Sequence, residues 1–174
     1  MRKVAICLTC GFLVALFAAC YYADTVASES EGAYAIAPAE GRIAQQPDPE
    51  RAVEAIYQSL EGGSAQRVSD EELDEVFGLA PYMVVEAVVY VSDVSAGLRD
   101  IAIVMPTPDY EEQAREALNQ YAASRAASFR NYDILGSYSI ASSAVVFSQG
   151  DHLVMLMLPD NDAARVILDQ YLPS

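Results

Sequence analysis

Two tyrosines and one glutamate recur among apolar residues in the stretch YMVVEAVVYV, which begins at Tyr82. Because side chains alternate across a strand, Tyr82, Glu86 and Tyr90 lie on one face. Tyrosine combines an apolar ring with a polar tip, which suits a binding surface. Arg99 and Asp100 follow on the next predicted strand, and we predict a binding surface from these five residues. The competing interpretation, which the pattern favours, puts this face under the N-terminal helices, with Glu86 paired to an arginine or at the rim.

Nucleophilic catalysis by a Ser–His–Asp set would depend on His152, because the chain has one histidine. His152 follows Asp151 at the start of a predicted strand, a hairpin edge where a side chain is usually solvated. The stretch GSYSI around Ser137 lacks the second glycine of the G-x-S-x-G motif. We therefore expect no catalytic residues and a non-enzymatic protein. An enzyme that uses a pair of carboxylates is the alternative, since the chain has 25 acids.

The acidic residues raise the hypothesis of a metal-binding site, but their spacing does not favour it. Five of them cluster at the start of a predicted helix, where carboxylates complement the helix dipole without a ligand: Asp70, Glu71, Glu72, Asp74 and Glu75. Asp160 opens a stretch like an EF-hand loop, but Arg165 and Tyr171 occupy the positions that need glycine and glutamate. No glycine-rich phosphate loop is present. We predict no cofactor and no metal, with cation capture by the acidic surface as a further alternative.

Cys20 ends an apolar segment that has the plan of an export signal. Arg2 and Lys3 stand at its head, and no charge follows before Asp24. The sequence Ala-Ala-Cys at its end resembles the lipobox at which bacterial lipoprotein signals are cut and the cysteine is acylated, although Phe17 replaces the usual aliphatic residue. We predict a lipoprotein-type signal over residues 1–20, lipid attachment at Cys20, and a place on the outer face of the bacterial cytoplasmic membrane.

Two other fates of this segment stay open. Residues 4–23 approach the roughly 20 apolar residues that span a bilayer, so a single retained transmembrane anchor is one alternative. Cleavage after Ala27, which small residues precede, would release a secreted protein. Cys7 and Cys10 lie within the signal, so their C-x-x-C spacing is not read as a redox motif.

The formal net charge of −15 limits the kinds of partner that the protein can bind. A charge of this sign repels phosphate backbones and anionic lipid head groups, so we expect no nucleic acid. The predicted partners are the membrane, through the lipid on Cys20, and an unidentified envelope protein or small ligand.

Residues 21–48 read as a flexible tether and residues 49–174 as one α+β domain. Two short helices come first, one capped by Asp48 and one opening with Ser69 and Glu72. Two strands, a proline and a long helix then follow one another, and this order occurs twice. The first unit has predicted strands over 82–91 and 98–105 and a helix over 110–130. The second unit has predicted strands over 142–148 and 152–158 and a helix over 160–171.

The two long helices end alike, as LNQY at 118–121 and LDQY at 168–171. Two ββα units predict a four-stranded antiparallel sheet with both long helices on one face, related by an approximate dyad. The fourth strand is apolar on both faces and is predicted to be covered on both sides. The first strand is predicted to turn one apolar face to the core, formed by Met83, Val85, Ala87, Val89 and Val91.

From about Ala52 onward the chain resembles a family of small, mostly Gram-positive bacterial lipoproteins that carry a domain of unknown function. The residues that carry the resemblance are Glu72-Leu73, Phe77-Gly78-Leu79, the strand from Tyr82 to Tyr90, Gly97 to Val104, Tyr132, and the Gly150 hairpin into Leu153-Val154-Met155. The resemblance implies an exported, lipid-anchored domain and brings no established activity.

Overall fold

The computed structural model describes residues 46–60 and 64–172. The predicted signal segment, Cys20 and the predicted tether up to residue 45 lie outside the described residues. The elements are α1 (Pro49–Ser59), β1 (Ala65–Arg67), α2 (Leu73–Phe77), β2 (Val84–Ser92), β3 (Asp100–Pro106), α3 (Glu111–Phe129), α4 (Ser137–Ser142), β4 (Val145–Gln149), β5 (His152–Met157) and α5 (Asn161–Tyr171). Short 3₁₀ turns occupy Pro81–Met83, Val94–Ala96 and Pro108–Tyr110.

The strands form one antiparallel sheet in the order β1-β2-β3-β5-β4. This confirms the predicted α+β class with an antiparallel sheet, but the sheet has five strands, so the prediction of four was wrong. The strand that was not predicted is β1, which pairs with the end of β2 from Ala65↔Ser92 to Arg67↔Tyr90. Its three residues, Ala-Gln-Arg, are too few and too polar to show an alternating apolar pattern.

The sheet is covered on both faces, which corrects the expectation that both long helices share one face. Leu118 of α3 packs with Ala102 and other residues of one face, together with α2 and α4. Leu168 of α5 packs with Ile101 and its neighbours on the other face, together with α1. A two-fold axis between antiparallel neighbours runs perpendicular to a sheet and would keep both helices on one face. The two ββα units are therefore not related by a dyad.

Strand β5 lies between β3 and β4, and all six of its residues are buried. This confirms the prediction of a strand covered on both sides. Strand β2 departs from its predicted alternation, because its pairing with β3 shifts between Val84 and Glu86. Val85, predicted to face the core, is consequently 64% exposed.

The predicted helix starts hold at α1 and α5. The side chains of Asp48 and Asp160 accept hydrogen bonds from the backbone N–H groups of Arg51 and Ala163, so both act as N-caps. Helix α4 was not predicted, and β4 starts at Val145, three residues later than expected. No helix within the described residues is long and apolar enough to cross a membrane.

Candidate functional site

The structure separates the predicted surface into two ends of β2. Tyr82 lies in the 3₁₀ turn before the strand, is 64% exposed, and packs edge-on against Tyr110 with ring centroids 5.1 Å apart. Tyr90 lies near the other end, half-buried, with its ring centroid 5.9 Å from that of Tyr57 on α1. The extended strand from Val84 to Tyr90 separates this turn from Tyr90 by six positions, which corresponds to roughly 20 Å. Glu86 is exposed between them.

Arg99 and Asp100 lie at the Tyr90 end. The guanidinium of Arg99 donates from Nη1 to the carbonyl oxygen of Ala96 at 3.0 Å. Asp100 is fully buried and turns to the α3 face, whereas Tyr90 packs in the core on the α1 face. Of the five predicted residues, Tyr90 and Arg99 therefore border one region, and Asp100 belongs to the other side of the sheet.

Asp100 is the centre of a buried polar network. Its Oδ1 accepts hydrogen bonds from the backbone nitrogen and the Oγ of Ser92, at 2.8 and 2.7 Å. Its Oδ2 accepts from the Tyr121 hydroxyl at 2.8 Å and from Nε of Arg125 at 3.0 Å. A carboxylate has about four acceptor positions, and these four donors occupy them. The network joins the β2–β3 connection to α3, and it leaves Asp100 no free acceptor position for a ligand.

Burial and charge keep the Tyr121 hydroxyl of this network protonated. Burial, reinforced by the Asp100 charge, raises the pKa of Tyr121 above its usual range, so the phenol stays protonated and donates. The Arg125 guanidinium also lies 5.9 and 5.7 Å from the ring centroids of Tyr121 and Phe129. Asp100 thus stabilises the fold by linking β3 to α3.

A groove lies between α1 and the β1–β2 edge, with a volume of about 640 Å³. We call it the tyrosine groove, and its lining residues are Glu50, Arg51, Val53, Glu54, Tyr57, Gln58, Ser64, Ala65 and Tyr90. The Tyr57 hydroxyl donates to the carbonyl oxygen of Arg99 at 2.6 Å, which fixes the ring. Burial, and then the Asp100 charge, raise the pKa of Tyr57 above its usual range, so this hydroxyl stays protonated. Glu50 Oε1 forms a salt bridge with Nη2 of Arg67 in β1, at 2.7 Å.

A second cavity, of about 410 Å³, opens where β3 and β5 separate beyond the last pair, Val104↔Leu153. We call it the hairpin cavity, and its lining residues are Val85, Met105, Pro106, Pro108, Glu111, Ser148, Gly150, Asp151, His152 and Leu153. Arg115 of α3 donates to Glu111 Oε1 at 3.0 Å and to Ser148 Oγ at 2.8 Å, which ties this wall together.

His152 is only 3% exposed, so the expectation of a solvated hairpin-edge side chain was wrong. Its strand partner Gln149 donates to Asp169 Oδ1 and to the carbonyl oxygen of Leu172, at 2.9 and 2.8 Å. The C-terminal end of α5 is thereby held at this hairpin, a tertiary contact that local sequence does not reveal. Burial lowers the pKa of His152, and the charges of Glu86 and Asp151 oppose that shift.

The acidic run before α2 forms local hydrogen bonds. Glu72 Oε2 accepts from the backbone nitrogen and the Oγ of Ser69, at 3.1 and 2.9 Å, and these bonds lower the pKa of Glu72. In residues 46–60 and 64–172, no group of three or more His, Cys, Asp and Glu side chains is placed to hold a metal ion.

These features define a small α+β domain whose five-stranded antiparallel sheet is covered by helices on both faces. The chain belongs to the family described as a domain of unknown function, DUF4358, whose model matches residues 58–158. The matched range runs from the end of α1 through β5 and contains both Asp100 and His152. Searches of curated proteins and of solved structures gave no significant match.

Proposed function

We propose that this protein is an exported binding module, held on the outer face of the bacterial cytoplasmic membrane by a lipid on Cys20. The proposed partner is an envelope protein that presents a basic segment to the tyrosine groove. The anchoring is supported by the charge pattern of residues 1–20 and by the small residues that precede Cys20. An acidic domain on a tether is also repelled by anionic head groups, which favours contact with proteins over contact with the lipid surface.

The observation that carries the binding role is the pair of fixed tyrosines in the groove. Tyr57 and Tyr90 present ring surface whose position is set by packing and by the 2.6 Å hydrogen bond to Arg99, so little side-chain entropy is lost on binding. Glu54 lies beside the rings, while Glu50 is paired with Arg67 and Arg51 also lines the groove. An aromatic centre with the Glu54 carboxylate at its edge complements a partner segment that carries arginine or lysine.

Photo-cross-linking in cells tests this role with a matched pair of sites. Gln58 donates to Glu54 at 3.2 Å in the groove, and Gln120 donates to Glu116 at 2.9 Å on α3, so both pairs have the same i,i+4 geometry. A cross-linking residue at position 58 is expected to capture a discrete protein. Glu54→Arg should reduce that product several-fold, because it puts a positive charge against a basic partner.

Glu116→Arg is the control and should leave the product at position 58 unchanged. Capture of the same protein from position 120, or capture at position 58 that Glu54→Arg does not reduce, would exclude the tyrosine groove as the contact surface.

A cell-envelope enzyme with a carboxylate pair is the second candidate, because Glu111 and Asp151 line one cavity together with a buried histidine. Its test is release of reducing sugar from isolated cell wall. Turnover by the wild type that Glu111→Gln and Asp151→Asn each abolish would favour catalysis over binding. Equal product from wild type and variants would remove this candidate.

A further inference from the structure

Strand β4 (Val145–Gln149) forms one edge of the sheet. All five of its residues pair with β5 on one side, and within the described residues no strand pairs with its other side. In an antiparallel pair, the residues that do not exchange hydrogen bonds with the neighbouring strand point their N–H and C=O groups away from it. The outer side of β4 therefore presents free backbone donors and acceptors.

The turn between β4 and β5 identifies which backbone groups are free. Gly150 is the first of its two residues and has a φ of 55°, which fits a type II′ hairpin turn. The residues that flank such a turn, Gln149 and His152, exchange backbone hydrogen bonds, and alternate residues of β4 bond to β5 in the same way. The residues between them, Val146 and Ser148, therefore turn their N–H and C=O groups outward.

The opposite edge of the sheet is protected against pairing with another strand, whereas β4 is not. Strand β1 has only three residues and carries Arg67, and the part of β2 beyond β1 has the irregularity before the exposed Glu86. Short strands, charged side chains and bulges are features by which proteins prevent such pairing. Strand β4 has five residues in continuous register, without proline or charge. An edge without these features is a template for another strand.

The distribution of charge favours a second copy of the chain at this edge. The net charge is −15, but no charged residue lies between Asp133 and Asp151, a range that includes α4 and all of β4. Two copies can therefore meet at β4 without placing like charges of the two strands against each other. Repulsion between more distant charges is screened over about 8 Å at physiological ionic strength. An uncharged strand also gives a different protein no charged group to recognise.

The two arginines that border β4 are compatible with this contact. Arg115 is paired with Glu111 at 3.0 Å. The Arg165 guanidinium lies 4.0 Å from the ring centroid of Phe147, and Asp169 follows one helical turn later on α5. Each arginine thus has a carboxylate of its own chain as a neighbour.

We propose that two copies of the domain join through β4 as a two-fold symmetric dimer with one continuous antiparallel sheet. Pairing centred on Phe147 places Val146 opposite Ser148 of the second copy, so their outward N–H and C=O groups bond to each other. The two Phe147 side chains then lie directly opposite, which is a favourable aromatic pair. A two-fold contact closes on itself, so assembly stops at the dimer. Since β4 and β1 form opposite edges of the sheet, the tyrosine groove stays accessible.

Sedimentation equilibrium of the purified full chain in density-matched detergent tests the dimer without any substitution. We expect a reversible equilibrium between monomer and dimer. Ser148→Pro removes an outward N–H that the dimer uses and keeps the bonds to β5, so it should weaken association at least about tenfold. Ser148→Ala is the matched control, because it loses the same 2.8 Å hydroxyl contact with Arg115 but keeps the N–H. It should stay within about twofold of wild type.

Disulfide formation in cells tests the register. In a Cys7→Ser/Cys10→Ser background, oxidant should convert Phe147→Cys into a disulfide-linked dimer, because the two side chains face each other. Val145→Cys is the control on the same face of the strand. Its two copies would lie four strand positions apart, roughly 13 Å, and should give at least about fivefold less dimer.

Three results would overturn the proposal: a wild-type monomer up to about 1 mM, equal disulfide yields from Val145→Cys and Phe147→Cys, or unchanged association of a folded Ser148→Pro chain. A disulfide from Phe147→Cys to a different protein, or a monomer because residues 21–45 cover β4, would also contradict it. None of these results affects cross-linking at Gln58, so failure here is distinguishable from failure of the tyrosine groove.

Discussion

Replacement of Asp100 by asparagine tests the buried network most severely. The carboxylate is 0% exposed and accepts four hydrogen bonds, one of them from Arg125, whose side chain keeps 20% exposure. Asparagine leaves the Arg125 charge uncompensated and turns an NH₂ group toward donors. Breaking a buried ion pair costs about 3–5 kcal/mol, and the partial hydration of Arg125 puts the expected loss near the lower end, about 3 kcal/mol. That is a large part of the roughly 5–15 kcal/mol by which domains are stable.

Urea unfolding followed by circular dichroism measures this loss. At a typical slope of about 2 kcal/mol per molar, a loss of about 3 kcal/mol lowers the midpoint by about 1.5 M. Asp70→Asn makes the same chemical change at an exposed position and should stay within about 0.5 kcal/mol of wild type. In the double variant with Arg125→Met, the combined loss should be smaller than the sum of the single losses, because the two residues interact. A loss below about 1 kcal/mol for Asp100→Asn, or strict additivity with Arg125→Met, would refute the assignment of Asp100 as the tie between β3 and α3.

Two further predictions concern local features. Because burial lowers the pKa of His152 below about 6.5, the unfolded chain takes up its proton first as the pH falls, so stability decreases below pH 6.5 until the folded protein is protonated as well. The urea midpoint of wild type should therefore drop between pH 7 and pH 5.5 more than that of His152→Gln; equal drops would contradict a buried, neutral histidine. Gly78 ends α2 with a φ of 71°, and an added Cβ would meet nothing within 4 Å, so Gly78→Ala should cost about 1 kcal/mol through backbone strain alone. A thermal melt should show a fall of several degrees, and an unchanged melting temperature would contradict the left-handed cap.

The elements with strong local signals were predictable. Asp48 and Asp160 combine a capping side chain with a following apolar period, and the helices begin where those signals lie. The unbroken apolar run after His152 indicated a strand covered on both sides, and β5 is one. Strand β1 and helix α4 are short and polar, so no period marks them.

The site depends on contacts between distant parts of the chain, which local patterns do not encode. Asp100 is buried because Arg125 and Tyr121 of α3 reach it from more than twenty residues away. His152 is buried at a hairpin whose strand partner Gln149 binds the end of α5. Tyr90, one of the two tyrosines in the alternating pattern, lines the tyrosine groove. The pattern did not reveal that Tyr57 of α1 supplies the second ring.

Metabolic labelling with an alkyne-bearing fatty acid tests whether Cys20 carries a lipid anchor. We expect the wild type to be labelled and membrane-bound. The double variant Cys7→Ser/Cys10→Ser should be labelled equally, because a cleaved signal would take both cysteines with it. Cys20→Ser should carry no label. A wild-type protein without label, or a Cys20→Ser variant that keeps it, would contradict the lipid anchor, and a membrane-bound, unshortened Cys20→Ser protein would replace it with a transmembrane helix over residues 4–23.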